Sequence, residues 1–320
     1  MNQTVAVIMS TYNEKISWIE SSIESILNQT YENIHLYIVL DNPTNTKIKE
    51  CLDRYASTDS RITILYNKKN LGLVASLNKL IDIVKENYVA RLDADDVADF
   101  CRIEKQIEFM QKYQLDFVMS GADFIDEEGV VSVGDDMPML LSEDINNIVK
   151  YGNPSIHSSW FLKKQVYDSL GGYREVKYCE DYEFVLRALQ NNVKIGRMKE
   201  HLIMYRLHQS SISMRYAKEQ YEKTYFLRKM YIMEKPIIQM DYNKINEKFS
   251  KYSEYEKGKF AEAKYEIDLF CNCLYKRKYL KCIKITVRGF LKNSDYRKVF
   301  FRSLKANIRM RRFYNSLSYL

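Results

Sequence analysis

Tyr88-Val89-Ala90-Arg91-Leu92-Asp93-Ala94-Asp95-Asp96 is the stretch whose reading decides the fold. Its first five residues form a mainly apolar run of strand length, read as a buried strand. The rest places three carboxylates within four residues. Like charges so close repel, and a turn needs only one Asp. A divalent cation resolves the conflict. Mg²⁺ and Mn²⁺ take hard oxygen ligands, typically one or two carboxylates plus substrate phosphate oxygens. The competing reading is a solvated acidic loop.

The same pattern, a strand running into a polar loop, recurs three times upstream. Residues 4–9 run into Ser10-Thr11-Tyr12-Asn13-Glu14, residues 34–40 into Asp41-Asn42-Pro43, and residues 62–66 into the loop holding Asn70-Leu71-Gly72. Helical patterns lie between them. Ser17-Trp18-Ile19-Glu20 has the Ser-x-x-Glu form of a capping box, residues 47–55 read as a helix, and residues 73–85 place Leu73, Leu77, Leu80, Ile81 and Val84 on an apolar face. Alternating strands and helices predict an α/β fold, a mostly parallel sheet sandwiched by helices. In such sheets ligands bind at the carboxyl ends of the strands, and here four polar strand-end loops converge on one edge.

Downstream, the pattern predicts a helix over 103–113, a strand over 117–125 and a short helix over 164–170 ending at Gly171-Gly172. A helix over 180–191 carries Glu180, Asp181 and Glu183 in its first turn. Residues 193–195 and 201–205 read as two separate strands.

At 320 residues the chain fits one large domain, or a domain with an appendage, and 46% hydrophobic with 28% charged residues is ordinary for a globular protein. No stretch approaches the roughly 18 apolar residues of a membrane span. The first residues lack the basic and apolar regions of a signal peptide. Six scattered cysteines predict reduced thiols, with neither a zinc site nor a disulfide framework. The net charge of +7 hides an asymmetry: residues 215–320 carry 26 Lys and Arg against 11 Asp and Glu. That contrast, with a change to Tyr- and Lys-rich helical sequence, predicts a catalytic region over 1–214 and a basic, mainly helical region over 215–320. Near the end, Phe300, Leu304 and Ile308 recur at helical spacing among Lys298, Arg302, Lys305 and Arg309. A basic amphipathic helix of this kind suits an anionic membrane surface, and an oligomer contact is the other reading. No nucleic-acid module is visible.

Taken in order, Ser-Thr-Tyr-Asn-Glu, Asn-Leu-Gly-Leu, Leu-Asp-Ala-Asp-Asp, Gly-Gly-Tyr-Arg-Glu and Glu-Asp-Tyr resemble the family 2 glycosyltransferases, over roughly residues 4–213. The closest flavour is that of bacterial enzymes building capsule, exopolysaccharide or O-antigen units. The resemblance implies a GT-A fold and inverting, metal-dependent transfer from a UDP-sugar to a saccharide acceptor linked to a polyprenyl diphosphate. It implies a cytoplasmic protein peripheral to the inner membrane face. Thr11, Tyr12, Glu14 and Asp41 would then serve the base and ribose, and Asn70 and Gly72 would approach the nucleotide. Asp93 would face the ribose, Asp95 would bind Mn²⁺ or Mg²⁺ with His208, and Asp96 would face the donor sugar. Asp181 would be the catalytic base, with Glu180, Gly172 and His157 on the acceptor side. Two departures stand out: Asp41-Asn42-Pro43-Thr44 replaces Asp-Asp-Gly-Ser, and Ser76-Leu77-Asn78 replaces Ala-Arg-Asn.

The residue types suit that chemistry. Inverting transfer needs a base for an acceptor hydroxyl, and a carboxylate beside a second carboxylate can be tuned for the task. The rival readings are another nucleotide-sugar or nucleotidyl transferase on a similar scaffold, or a non-catalytic scaffold subunit. Taken singly, Asp181 and Glu180 could be helix N-terminal carboxylates, His157 a packing residue, and Gly171-Gly172 a helix C-cap.

Overall fold

The computed structural model describes residues 3–134, 136–275, 279–292 and 296–302. Four strands build the first half: β1 (Val5–Thr11), β2 (Ile34–Leu40), β3 (Ile62–Tyr66) and β4 (Tyr88–Arg91). They are linked by α1 (Ile16–Leu27), α2 (Thr46–Thr58) and α3 (Leu73–Ile83). Strands β3-β2-β1-β4 lie side by side and parallel, so their carboxyl ends share one edge, as the sequence pattern requires. Their near-continuous apolar character follows from helices covering both faces.

The sheet then turns mixed. It continues with β5 (Val97–Ala98), α4 (Arg102–Lys112), β6 (Phe117–Ile125), β7 (Val131–Ser132), α5 (Ser142–Ile148), β8 (Phe161–Lys163), α6 (Lys164–Leu170), α7 (Glu180–Gln190) and β9 (Ile195–Arg206). Strand β8 is antiparallel to both β4 and β6, and β9 runs parallel to β6. At two and three residues, β5 and β8 are too short to leave a periodic signal. The two strands expected over 193–205 are one. Polar Lys199 and Glu200 interrupt its apolar run where its register against β6 shifts around Gly121.

The capping box at Ser17 does not form. Helix α1 starts at Ile16 with Lys15 in the cap position and no side-chain cap, so Ser17 already lies inside the helix, and Glu20 is taken up by Arg54. In α2 the capping side chain is Asn45, which accepts from the Ile48 N–H at 3.1 Å.

From Ile212 on, the chain forms α8 (Ile212–Arg215), α9 (Ala217–Ile232), α10 (Tyr242–Lys248), α11 (Glu254–Tyr275) and α12 (Tyr279–Lys292). Leu227 and Ile237 join the core on one face of the sheet, whereas Phe260, Ile267, Tyr296 and Phe300 form a separate cluster between α11 and α12. The tail helix expected around Leu304 and Ile308 lies outside the described residues. No described helix is long and apolar enough to cross a membrane.

Helix α7 is fixed by a buried ion pair. Arg187 donates to both Glu183 oxygens at 2.8 and 2.9 Å and to the carbonyls of Leu170 and Gly172, while the Tyr242 hydroxyl donates to Glu183. Neither side chain of the pair is exposed. Removing one partner of such a pair leaves an uncompensated buried charge. Arg187→Ala should therefore lower unfolding free energy by roughly 3–5 kcal/mol, measured by denaturant titration. A loss below about 1 kcal/mol would show that the pair contributes little.

Candidate functional site

The four strand-end loops open into a cleft of about 850 Å³. The loop after β1 is closed by Glu14, whose Oε2 accepts from the Thr11 hydroxyl at 2.6 Å and the Tyr12 N–H at 2.7 Å. Burial pushes the Glu14 carboxyl up in pKa. The loop after β3 hangs on Asp41. One Asp41 oxygen accepts from Asn67 Nδ2 at 2.7 Å and the Leu71 N–H at 2.8 Å, and the other from the Gly72 N–H at 2.8 Å. Gly72 has φ +84°, a conformation that favours glycine, and leads directly into α3. Asp41 thus couples two loops as well as lining the cleft.

The acidic stretch after β4 is sorted by its surroundings. Arg91, 2% exposed on a strand otherwise apolar in its buried positions, grips both oxygens of Asp93, one of them at 2.6 Å. Bidentate guanidinium contacts hold a carboxylate in one orientation. Ser22 Oγ donates to the carbonyls of Asp93 and Asp96, pinning the turn from α1. Asp95 accepts from or shares a proton with His208 Nε2 at 2.8 Å, and His208 Nδ1 meets the Ser210 hydroxyl at 2.7 Å.

Asp96 corrects the expectation. It does not face the cleft. It is fully buried, and it accepts from Ser158 Oγ and from the Arg206 N–H at 2.8 Å. Burial and the charges of Asp95 and Asp93 push its pKa well above the usual carboxylate range. It ties the β4 loop to Arg206 at the end of β9, two residues before His208.

The carboxylates of Asp93, Asp95 and Asp96 can place oxygens within 4.8 Å of one another. Two of the three are committed to Arg91, Ser158 and Arg206, while Asp95 Oδ1 accepts no hydrogen bond among the described residues. One free carboxylate oxygen with an imidazole beside it, in a cleft able to admit phosphate, fits a hard divalent cation that keeps several ligand positions for substrate.

Into the same cleft, α7 presents Glu180 and Asp181. Asp181 accepts from Asn153 Nδ2 at 2.7 Å and from the Tyr182 N–H at 2.7 Å. Burial raises its pKa. Glu180 is pushed up to about 7, first by burial and then by the charge of Asp181. The turn before them is strained: Tyr178 has φ +68° and stacks on Tyr216, ring centroids 3.8 Å apart. His157 lines the cleft, but its Nε2 is bonded to the Tyr173 hydroxyl at 2.7 Å, which in turn meets Tyr167 at 2.9 Å. Burial and the Arg91 charge hold His157 well below its ordinary pKa, so it is neutral near pH 7.

Gly172 is the second correction. It is buried away from the cleft at φ +69°, and a Cβ there would lie 2.5 Å from Asn78 Oδ1. Asn78 instead holds Tyr173, accepting from its N–H at 2.8 Å and donating to its carbonyl at 3.0 Å. Gly171, left-handed at φ +68°, ends α6.

The structure brings Thr11, Tyr12, Glu14, Asp41, Asn70, Gly72, Asp93, Asp95, His157, Glu180, Asp181 and His208 to one cleft. Sequence reasoning assigned no role to Arg91, Ser158, Asn153 or Asn78. Arg91 had a signal, a cation inside an apolar strand directly before carboxylates. It also missed the wall supplied by α9 and α11, where Tyr221, Phe260 and Lys264 line the same cleft.

The sequence profile described as "Glycosyl transferase family 2" matches residues 6–171. A glycosyltransferase of Methanocaldococcus jannaschii is 35% identical over 204 residues, covering 63% of this chain and 70% of the relative. The O-antigen biosynthesis glycosyltransferase WbnJ of Escherichia coli is 31% identical over 209 residues, 65% of this chain and 81% of the relative. The S. aureus TarS structure in complex with UDP-GlcNAc superposes with a TM-score of 0.58 at 16% identity, covering 76% of this chain and 69% of TarS, a likeness of fold.

Proposed function

The chain belongs to glycosyl transferase family 2, and we propose that it moves a hexose or N-acetylhexosamine from a UDP-sugar to a saccharide acceptor with inversion. The observation that carries this is a single cleft lined both by the strand-end loops with Asp95 and by the Glu180–Asp181 pair. Relatives in polysaccharide biosynthesis support a saccharide acceptor, and a lipid-linked one is our reading. The UDP and UDP-GlcNAc bound to TarS, a protein of like fold, support the donor class.

In this reading Asp181 takes the proton of the acceptor hydroxyl as that oxygen bonds to the anomeric carbon. The bond from that carbon to the β-phosphate oxygen breaks, and the electron pair leaves with UDP. Asn153 and the Tyr182 N–H hold the base in place, each leaving its oxygen a lone pair. Thr11, Tyr12 and Glu14, with Asn70 and Gly72 on the Asp41-anchored loop, would surround the base and ribose, and Arg91-held Asp93 would meet the ribose. Asp95 and His208 would hold Mn²⁺ or Mg²⁺. A bound cation supplies Lewis-acid neutralisation of the leaving diphosphate.

The test is a thermal-shift panel of UDP-, GDP- and dTDP-sugars with Mn²⁺, followed by product analysis. A UDP-sugar at about 100 times its Kd should add about 2.7 kcal/mol of stability, and turnover should release nucleoside diphosphate. Stabilisation by another nucleotide alone would overturn the donor assignment. Release of pyrophosphate would replace glycosyl transfer by nucleotidyl transfer.

A further inference from the structure

We propose that the outer face of α12 docks the protein on an anionic lipid bilayer. Leu280, Ile283 and Val287 stand at positions i, i+3 and i+7 and are 85%, 61% and 55% exposed. That spacing aligns them on one side of the helix. The opposite side is occupied, since Cys282 is buried and Ile285 packs against the cluster of Phe260, Tyr296 and Phe300. Phe301, itself 59% exposed, adds a further ring edge-on to Phe290.

Charge selects the occupant. Helix α12 carries Lys281, Lys284, Arg288 and Lys292 and no acidic residue. Lys281, Lys284 and Arg288 are exposed, and Arg288 alone of these reaches a carboxylate, Glu266, at 3.5 Å. A symmetric contact between two copies through this stripe would set like cations against each other. Anionic headgroups would neutralise them while the acyl boundary accepts Leu280, Ile283 and Val287. Helix α11, packed against α12, gives Phe260 and Lys264 to the catalytic cleft, so docking by α12 ties the cleft wall to the bilayer. Docking itself does not rest on the transferase reading; only its link to a lipid-borne acceptor does.

The experiment is flotation of the full chain with vesicles of phosphatidylcholine, with and without phosphatidylglycerol, alongside sedimentation velocity. The chain should float with the anionic vesicles only, and less as salt rises. One basic residue near such a surface is worth about fivefold in partitioning. Lys281→Ala with Lys284→Ala should therefore lower it by roughly twenty-five-fold. Leu280→Glu with Ile283→Glu should abolish it, and both variants should keep the parent's unfolding midpoint because these side chains are exposed. Failure of the parent to float, equal binding to neutral vesicles, or undiminished flotation of either variant would overturn the proposal. So would a dimer dispersed by Leu280→Glu, which would mark the stripe as a self-association face. None of these readouts needs activity, so the transferase reading stands or falls separately.

Discussion

Replacing Asp181 by Asn should lower the rate of sugar transfer by roughly 10²–10⁴-fold, the usual contribution of a positioned general base. Donor binding should be unchanged within about twofold, because Asp181 is hydrogen-bonded only to Asn153 and the Tyr182 N–H among the described residues, and to none of the groups placed around the nucleotide. Asparagine keeps the shape and still accepts from the Tyr182 N–H, so a folding defect is not expected. The loss should fall on kcat rather than on the donor KM, since the interaction with the hydroxyl proton strengthens only as transfer proceeds. A variant that transfers at the parental rate would move the base elsewhere, with Glu180 the first alternative.

The pH profile gives the same assignment a sign. Asp181 works only when ionised, and burial raises its pKa, opposed by the Tyr182 N–H, the Arg91 charge and Asn153. Transfer should therefore be lost, as pH falls, at a higher pH than for an ordinary carboxylate. Glu180, pushed up to about 7, faces the charges of Asp181, Arg91 and Glu175. As it ionises, repulsion strengthens Asp181 as a base, so the rate should climb toward pH 7 and flatten above it. The pair titrates as a unit. Glu180→Gln should remove the upper step and leave the acid limb. A profile flat from pH 5 to 8 would contradict the assignment.

What the sequence made legible was whatever depends on local pattern. Strand β2 and β3 boundaries follow from apolar runs ended by Asp41 and Asn67, and the convergence of four loops follows from parallel order. What stayed hidden depends on partners distant in the chain. Nothing near Asp96 marks it as turned inward: its partners are Ser158, 62 residues away, and Arg206, 110 residues away. Gly172 was read by its motif, while the room at its position is set by Asn78 of α3, which hydrogen-bonds the next residue, Tyr173. Asp41 looked like a ligand group because a lone carboxylate after a strand does, and only the fold shows that the third loop hangs on it. The contribution of α9 and α11 to the cleft was invisible because charge and periodicity separate residues 215–320 from the rest, whereas packing does not.

Removing divalent cations with a chelator should reduce transfer by on the order of 10²-fold or more, given the several kcal/mol that a cation contributes at a developing phosphate charge. It should also abolish the thermal stabilisation by a UDP-sugar, and added Mn²⁺ or Mg²⁺ should restore both. The geometry singles out Asp95 as the residue through which this operates. Asp93 has both oxygens on Arg91, and Asp96 is enclosed by Ser158 and the Arg206 N–H. Only Asp95 keeps an oxygen without a hydrogen bond among the described residues, and His208 stands 2.8 Å from its other oxygen. Asp95→Asn should reproduce the effect of the chelator in metal-replete buffer, because an amide is a far poorer ligand than a carboxylate. Asp96→Asn should act differently: its side chain is buried and hydrogen-bonded, so its cost should appear in stability before metal affinity. His208→Ala should raise the cation concentration needed for half-maximal activity without altering the unfolding midpoint as strongly as Asp96→Asn. Metal dependence that persists unchanged in Asp95→Asn would move the cation to another site, and transfer indifferent to chelation would remove it from the mechanism.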